Sequence, residues 1–329
     1  MRVTFFLAGE GDLDALRRLD PDREPQRFLR GEHAWTLQTY LRLRNAGHPV
    51  ELSDETPDDG LVIFHVKQRD ELMRRRRRGS RAVLVAIRAD NRRNPIADFE
   101  VLQNDCYAAP GRRFFVPFWP QPGILPRDAA RGSGIQRVAY RGFAANLDPR
   151  FLAADFRDAL ARQSIELRVD SVPFTARAAE QQSVGWNDYR NVDLSLAVRP
   201  AARHLHTGKP ATKLYNSWLA GVPSLLGPEY AFRALRRSPL DYIEISSPAE
   251  ALAAIAELRA DPARYLAMIE NGIQRGQEFT AEATVERWAE LLYRTLPPLA
   301  DQPRVRRWRG RSLRVKKALK RLLPFLDRP

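Results

Sequence analysis

A chain of 329 residues with 44% apolar side chains is long enough for two domains of ordinary size, each burying its own core. Its single cysteine, Cys106, excludes an internal disulfide and any cysteine-cluster metal site, which suits a reducing cytoplasm. The formal net charge of +14 first suggests a nucleic-acid binder, but residues 303–329 hold eleven arginines and lysines against Asp327 alone, so +10 of it is a property of the tail.

The opening MRVTFFLAGEGD has too short an apolar run for a cleavable signal peptide or a membrane span. Residues 3–8 read as the first buried strand, and the polar stretch 10–30 as a loop or excursion after it. In 34–46, Trp35, Leu37, Leu41 and Leu43 recur near helical spacing, and Asn45-Ala46-Gly47 supplies the stop. Residues 50–52 form a short strand, and LVIFHV at 61–66 is a continuous apolar run of the parallel-strand type. The charged segment 68–78 belongs on the surface, AVLVAI at 82–87 is the next strand, and 99–102 and 114–118 are shorter candidates. Strands alternating with helical stretches predict an α/β sheet.

Three prolines and three glycines in 119–134 interrupt the pattern and predict a domain boundary there, giving domains at 1–133 and 134–296 and a tail at 297–329. In the second half the alternation restarts with strands at 138–141, 166–169, 194–198 and 242–245. Helices are expected at 149–162, 248–259, 263–276 and 281–296. Between them, 208–232 (GKPATKLYNSWLAGVPSLLGPEYAF) runs from a cationic loop through a short helix, a glycine stop and a buried strand. In an open parallel sheet such a step places a helix start and its lysines where an anion can be held.

TKLYNSWLAGVPSLLGP resembles the donor segment of α1,3-fucosyltransferase-type enzymes, and the second half resembles the nucleotide-sugar domain of GT-B glycosyltransferases. The likeness runs over about 209–268, through YIEI, SPAEAL and DPARY. It implies two Rossmann-like domains facing a cleft, a nucleotide-sugar donor as co-substrate with no further cofactor, and a glycan or lipid-linked acceptor. Thr212 stands where the fucosyltransferase type has a glutamate, and Asn216 where the retaining GT-B group has a ribose-holding glutamate. The resemblance therefore carries over fold and reaction class and leaves the donor open.

A departing nucleoside diphosphate needs its growing charge stabilised by a metal, by cations or by a helix N-terminus. No Asp-x-Asp pair ends a strand, so cations are expected to do this: Arg199 after DLSLAV, and Lys209 and Lys213 framing the helix start, with Thr212 as its cap. Asn216 and Ser217 are candidates for ribose or sugar hydroxyls, and Gly142 for close backbone approach to phosphate. A base for the acceptor hydroxyl is expected from the first domain, with Glu32, His33, His65 and Asp90 as candidates. His204 and His206 lack a third ligand, so no metal site is expected.

Arg74 to Arg78 with Arg81 form a cationic patch that reads as a solvated helix face, or as a site for anionic lipid, a phosphate-bearing acceptor or nucleic acid. In the tail, Val315, Leu319, Leu322 and Leu326 share one helical face with basic residues on the rest, a pattern expected of a peripheral anchor on the inner membrane surface. The competing reading of the whole chain is a non-catalytic nucleic-acid or polyanion binder on an α/β scaffold.

Overall fold

The computed structural model describes residues 1–89, 91, 93–173, 185–200 and 207–302. Asp90, His204, His206 and residues 303–329 of the tail lie outside the described residues. The chain divides into two compact units. One comprises Met1–Phe118, Gly208–Pro210 and the segment from Ala281; the other comprises Trp119–Thr207 and Ala211–Thr280.

The first unit is built on six parallel strands: β1 (Val3–Phe6), β2 (Val50–Ser53), β3 (Leu61–His65), β4 (Val83–Ala89), β5 (Phe99–Leu102) and β6 (Arg113–Phe115), in the order β2-β1-β3-β4-β5-β6. Every residue of VTFF and LVIFH is buried, as a strand covered on both faces requires. The order reverses between β1 and β3, where connections leave in opposite directions. That is the switch point at which open parallel sheets form a crevice beyond their carboxyl ends.

The first expected helix starts irregularly. His33–Leu37 is a π-helical turn that runs into the α-helix Gln38–Asn45. Such turns widen a helix by one residue per turn and recur at functional sites. Within 68–78 the chain forms the helix Arg69–Arg75, where Arg75 reaches Glu71 and Asp54.

The second unit carries β7 (Arg137–Phe143), β8 (Glu166–Val172), β9 (Leu194–Ala197), β10 (Ser224–Leu226) and β11 (Ile243–Glu244), all parallel, in the order β11-β10-β9-β7-β8. Here the reversal lies between β7 and β9. Val138, Tyr140, Leu194, Leu196 and Leu225 form the centre of its core, together with Ala251, Ile255 and Leu258 from the helix Pro248–Ala260. The helix Thr212–Leu219 stops as its sequence indicates. The amide of Gly221 (φ +65°) donates to Trp218 O at 3.0 Å and that of Val222 to Ser217 O at 2.9 Å, and β10 follows.

Two boundaries differ from the sequence expectation. The change of unit falls between Phe118 and Trp119, because the Pro/Gly-rich stretch is tied to the second unit. The Gln121 amide donates to Asn216 Oδ1 at 3.0 Å, Leu125 bridges to Asp188, and Arg127 and Arg131 both bond Asp193. The chain from Ala281 instead groups with the first unit. There Tyr293 stacks on His48 with ring centroids 5.5 Å apart and donates its hydroxyl to Pro49 O at 3.3 Å. No helix among the described residues is long and apolar enough to cross a membrane.

Candidate functional site

The switch point of the second unit gathers cations from a helix, a strand and a loop. Lys213, in the first turn of Thr212–Leu219, is half-buried, donates from Nζ to the carbonyl of Arg141 on β7, and lies 4.8 Å from the centre of the Tyr140 ring. Burial pushes the Lys213 ammonium down to about 7. The positive charges of Arg199 and Arg141 act in the same direction and the carboxylate of Glu229 opposes them. A lysine so placed gains most from an anion, which supplies the charge compensation that water cannot.

Two arginines flank it. Arg199, just beyond β9, is held by Glu229 at 3.1 Å, and both side chains are largely buried. Arg141 stacks on Tyr189 with its guanidinium carbon 4.3 Å from the ring centre, pairs through Nε with Asp170 at 3.3 Å, and donates from Nη2 to Asp188 O. In each arginine the Nη1 nitrogen is buried without a hydrogen-bond partner among the described residues. A buried guanidinium donor left unmatched is costly, and both arginines are near enough to Lys213 for their charges to act on it.

Gly142 completes the arrangement. At φ +146° it takes a conformation that side chains disfavour, and a Cβ there would sit 2.8 Å from Lys213 Nζ and 3.1 Å from the Tyr140 hydroxyl. Its role is to let the lysine pass close to the end of β7.

The other candidates are placed as follows. Thr212 is the first residue of its helix rather than its cap; Ala211 precedes it, and no side chain caps this end. Lys209 belongs with Gly208–Pro210 in the first unit, where Asn104 Nδ2 donates to Lys209 O and Gln103 Nε2 to Gly208 O, each at 2.7 Å. Asn216 Oδ1 is taken by the Gln121 amide, and the Ser217 hydroxyl is fully buried and donates to Lys213 O at 2.7 Å. Both oxygens thus serve the packing of the helix.

The switch point of the first unit holds a second cluster. His65 ends β3 and is buried, and its Nδ1 accepts from the Lys67 amide at 3.4 Å. A Cβ on Gly31 would lie 3.3 Å from the His65 ring. Beside Glu32, which is also buried, His33 stands between two acceptors: Arg27 O lies 3.0 Å from Nδ1 and Glu10 Oε2 lies 3.0 Å from Nε2. Both ring nitrogens of His33 are thus within hydrogen-bond distance of an oxygen.

Glu10, Glu229 and Arg141 were missed by sequence reasoning. Glu10 lies between Gly9 and Gly11, both at positive φ, just past β1. Arg141 shows a readable signal, a charge inside an otherwise buried strand. Glu229 shows none beyond following Gly227-Pro228. Among the described residues no group of three His, Cys, Asp or Glu side chains could hold a metal ion.

No family model and no curated protein sequence matches this chain. Solved structures do match. TarM of S. aureus superposes with a TM-score of 0.51 at 9% identity over 78% of this chain and 58% of TarM, so the chain spans little more than half of that protein's length. Anabaena HepE, solved with UDP and glucose, superposes with a TM-score of 0.50 at 12% identity over 89% of this chain and 99% of HepE. At these identities the likeness is one of fold. The chain has the two-unit parallel α/β fold of the GT-B glycosyltransferases.

Proposed function

We propose that this protein is a glycosyltransferase whose second unit binds a nucleoside-diphosphate sugar, its diphosphate held by Arg199, Lys213 and Arg141 at the β7/β9 switch point. The observation that carries the reading is the pair of arginines with buried, unmatched guanidinium nitrogens whose charges both act on a half-buried lysine. Three fixed cations can stabilise the charge that grows on a departing diphosphate, the task a metal ion performs elsewhere. UDP and glucose in HepE favour a uridine nucleotide and hexosyl transfer. The acceptor in this reading is a glycan or lipid-linked glycan. Proton removal from its hydroxyl is assigned to the first unit, with His65, Glu32 and the Glu10–His33 pair as its candidates.

UDP at 1 mM is expected to raise the melting temperature of the full chain by several degrees, the shift set by mass action. Arg199→Ala should abolish most of the shift. If no common nucleoside diphosphate stabilises the protein, or if Arg199→Ala responds like the parent, the donor site is lost as an idea. A polyanion binder would instead respond to heparin and not to UDP.

In the same reading the basic tail holds the enzyme at an anionic membrane surface, each cation there contributing about 1 kcal/mol. Deletion of 303–329 should release the protein from phosphatidylserine vesicles while UDP protection persists. Vesicle binding by the truncated chain would exclude the anchor.

A further inference from the structure

Glu229 occupies the capping position before the helix Tyr230–Leu235, yet its side chain makes no capping bond there. The carboxylate turns instead to Arg199, 30 residues away in the chain, and both of its oxygens lie 3.1 Å from Arg199 Nε. The Arg199 side chain is 10% exposed and that of Glu229 only 5%. The turn that presents Glu229 is fastened to the strand that presents Arg199. The Gly227 amide donates to Ala197 O and the Glu229 amide to Gly227 O, each at 2.8 Å, and a Cβ on Gly227 would stand 3.4 Å from Val198 Cα.

A buried carboxylate repels an anionic ligand, so its place in an anion site needs a reason in the free protein. Two guanidinium charges, Arg199 and Arg141, disfavour the ammonium form of Lys213, and the Glu229 carboxylate favours it. Asp170 pairs with Arg141 at 3.3 Å. The Tyr140 hydroxyl donates to Phe143 O at 2.6 Å, and burial pushes it up, so it stays protonated near neutrality.

We propose, on the donor site assigned above, that Glu229 is a positioning residue for the diphosphate: it aims Arg199, and its charge lets Arg199 and Lys213 stay cationic in one site. Without the carboxylate the positive groups stand uncompensated, and Lys213 gives up its proton at lower pH. The diphosphate binds the ammonium form, so affinity is complete below the free lysine's value and is lost as pH rises through it. Removing the Glu229 charge moves that loss to lower pH.

Calorimetric titration of the full chain and of Glu229→Gln with UDP, between about pH 5.5 and 8.5, tests this. Glutamine keeps an oxygen for Arg199 and deletes only the charge. The ratio of variant to parent Kd is expected to rise about tenfold across that range, which corresponds to about one pH unit in the titration of the lysine. The ionisation of UDP itself, at about pH 6, is common to both proteins and cancels in the ratio. A change of fit alone would give a ratio independent of pH. Glu229→Asp restores the carboxylate, and its ratio should stay level. Circular dichroism checks that each variant is folded, and Glu229→Ala, which removes the same charge, keeps the test available if the glutamine variant is not. A level ratio in the variants that lack the charge, or an equal rise in Glu229→Asp, would overturn the proposal. Failure of the parent to bind UDP at any pH would instead remove the donor site itself, and the role of Glu229 with it.

Discussion

Replacing Asp193 with alanine is expected to lower the unfolding free energy of the second unit by about 3–5 kcal/mol and its melting temperature by on the order of 10 °C. Asp193 is fully buried before β9 and its two oxygens accept from six donors. Arg127 bonds it through Nε and Nη2 at 3.3 and 2.9 Å, Arg131 through Nε and Nη2 at 2.8 and 2.7 Å, and the amides of Gln136 and Arg137 at 2.9 Å each. Alanine would leave two guanidinium groups and two amides without their acceptor, and Arg127 has a side chain only 5% exposed. The cost is that of uncompensated buried charge rather than of a lost contact.

Acid should remove the same stabilisation. Burial pushes the Asp193 carboxyl up, but the bonds from Arg131, the Gln136 amide and Arg127 outweigh it and hold the group below its ordinary value. A depressed folded value means that the contribution is complete above the unfolded carboxylate's pKa of about 4 and is lost as pH falls through the folded one. Urea unfolding at pH 7 and at pH 3 should therefore show the gap between parent and Asp193→Ala narrowing in acid. A substitution costing less than about 1 kcal/mol at pH 7 would remove this network from any structural role.

Lys213→Met should abolish UDP protection and at the same time stabilise the free protein. The methionine fills similar volume without a charge, and a buried cation replaced by an apolar side chain is often neutral or stabilising. The sign with pH follows from the lowered Lys213 value of about 7, against about 10.4 in the unfolded chain. Between these values the unfolded state holds more protons, so the parent's stability rises with pH across that window. The advantage of Lys213→Met is then largest below pH 7 and fades toward pH 10.

UDP binding moves in the opposite sense. The diphosphate favours the ammonium form, so the parent's affinity falls as pH rises above 7, by up to about tenfold per unit while protonation must accompany binding. Chemical denaturation and UDP titration at pH 6.5, 8 and 9.5 measure both effects. Retained UDP protection in Lys213→Met, or a stability difference independent of pH, would refute this account of the lysine. The combination of higher stability with lost binding is the signature of a group kept for function.

How much of the site could be read depended on residue position along the chain. Arg199, Lys213 and Gly142 follow or begin elements that their own sequence announces, so the rule that ligands gather beyond strand ends was enough to single them out. Asn216 and Ser217 were equally visible on the helix. Which way they face depends on Gln121 and on the turn of the helix itself, and these take their oxygens. Glu229 and Glu10 engage Arg199 and His33, 30 and 23 residues away, relations that carry no mark in the chain.

The amino-acid sequence by itself determined the strands, their parallel character, the helix stop at Gly221 and the repetition of one architecture in two halves. Each of these follows from local apolar runs and from the punctuation between them. The tertiary structure alone decided strand order, and with it the two switch points, because order depends on which side of a sheet each crossover takes. It also decided that 119–134 joins the second unit and that the helices after Ala281 join the first, through Asp193 and through the Tyr293–His48 stack. Those choices are made by long-range pairs, whose energies exist only once the chain has brought them together.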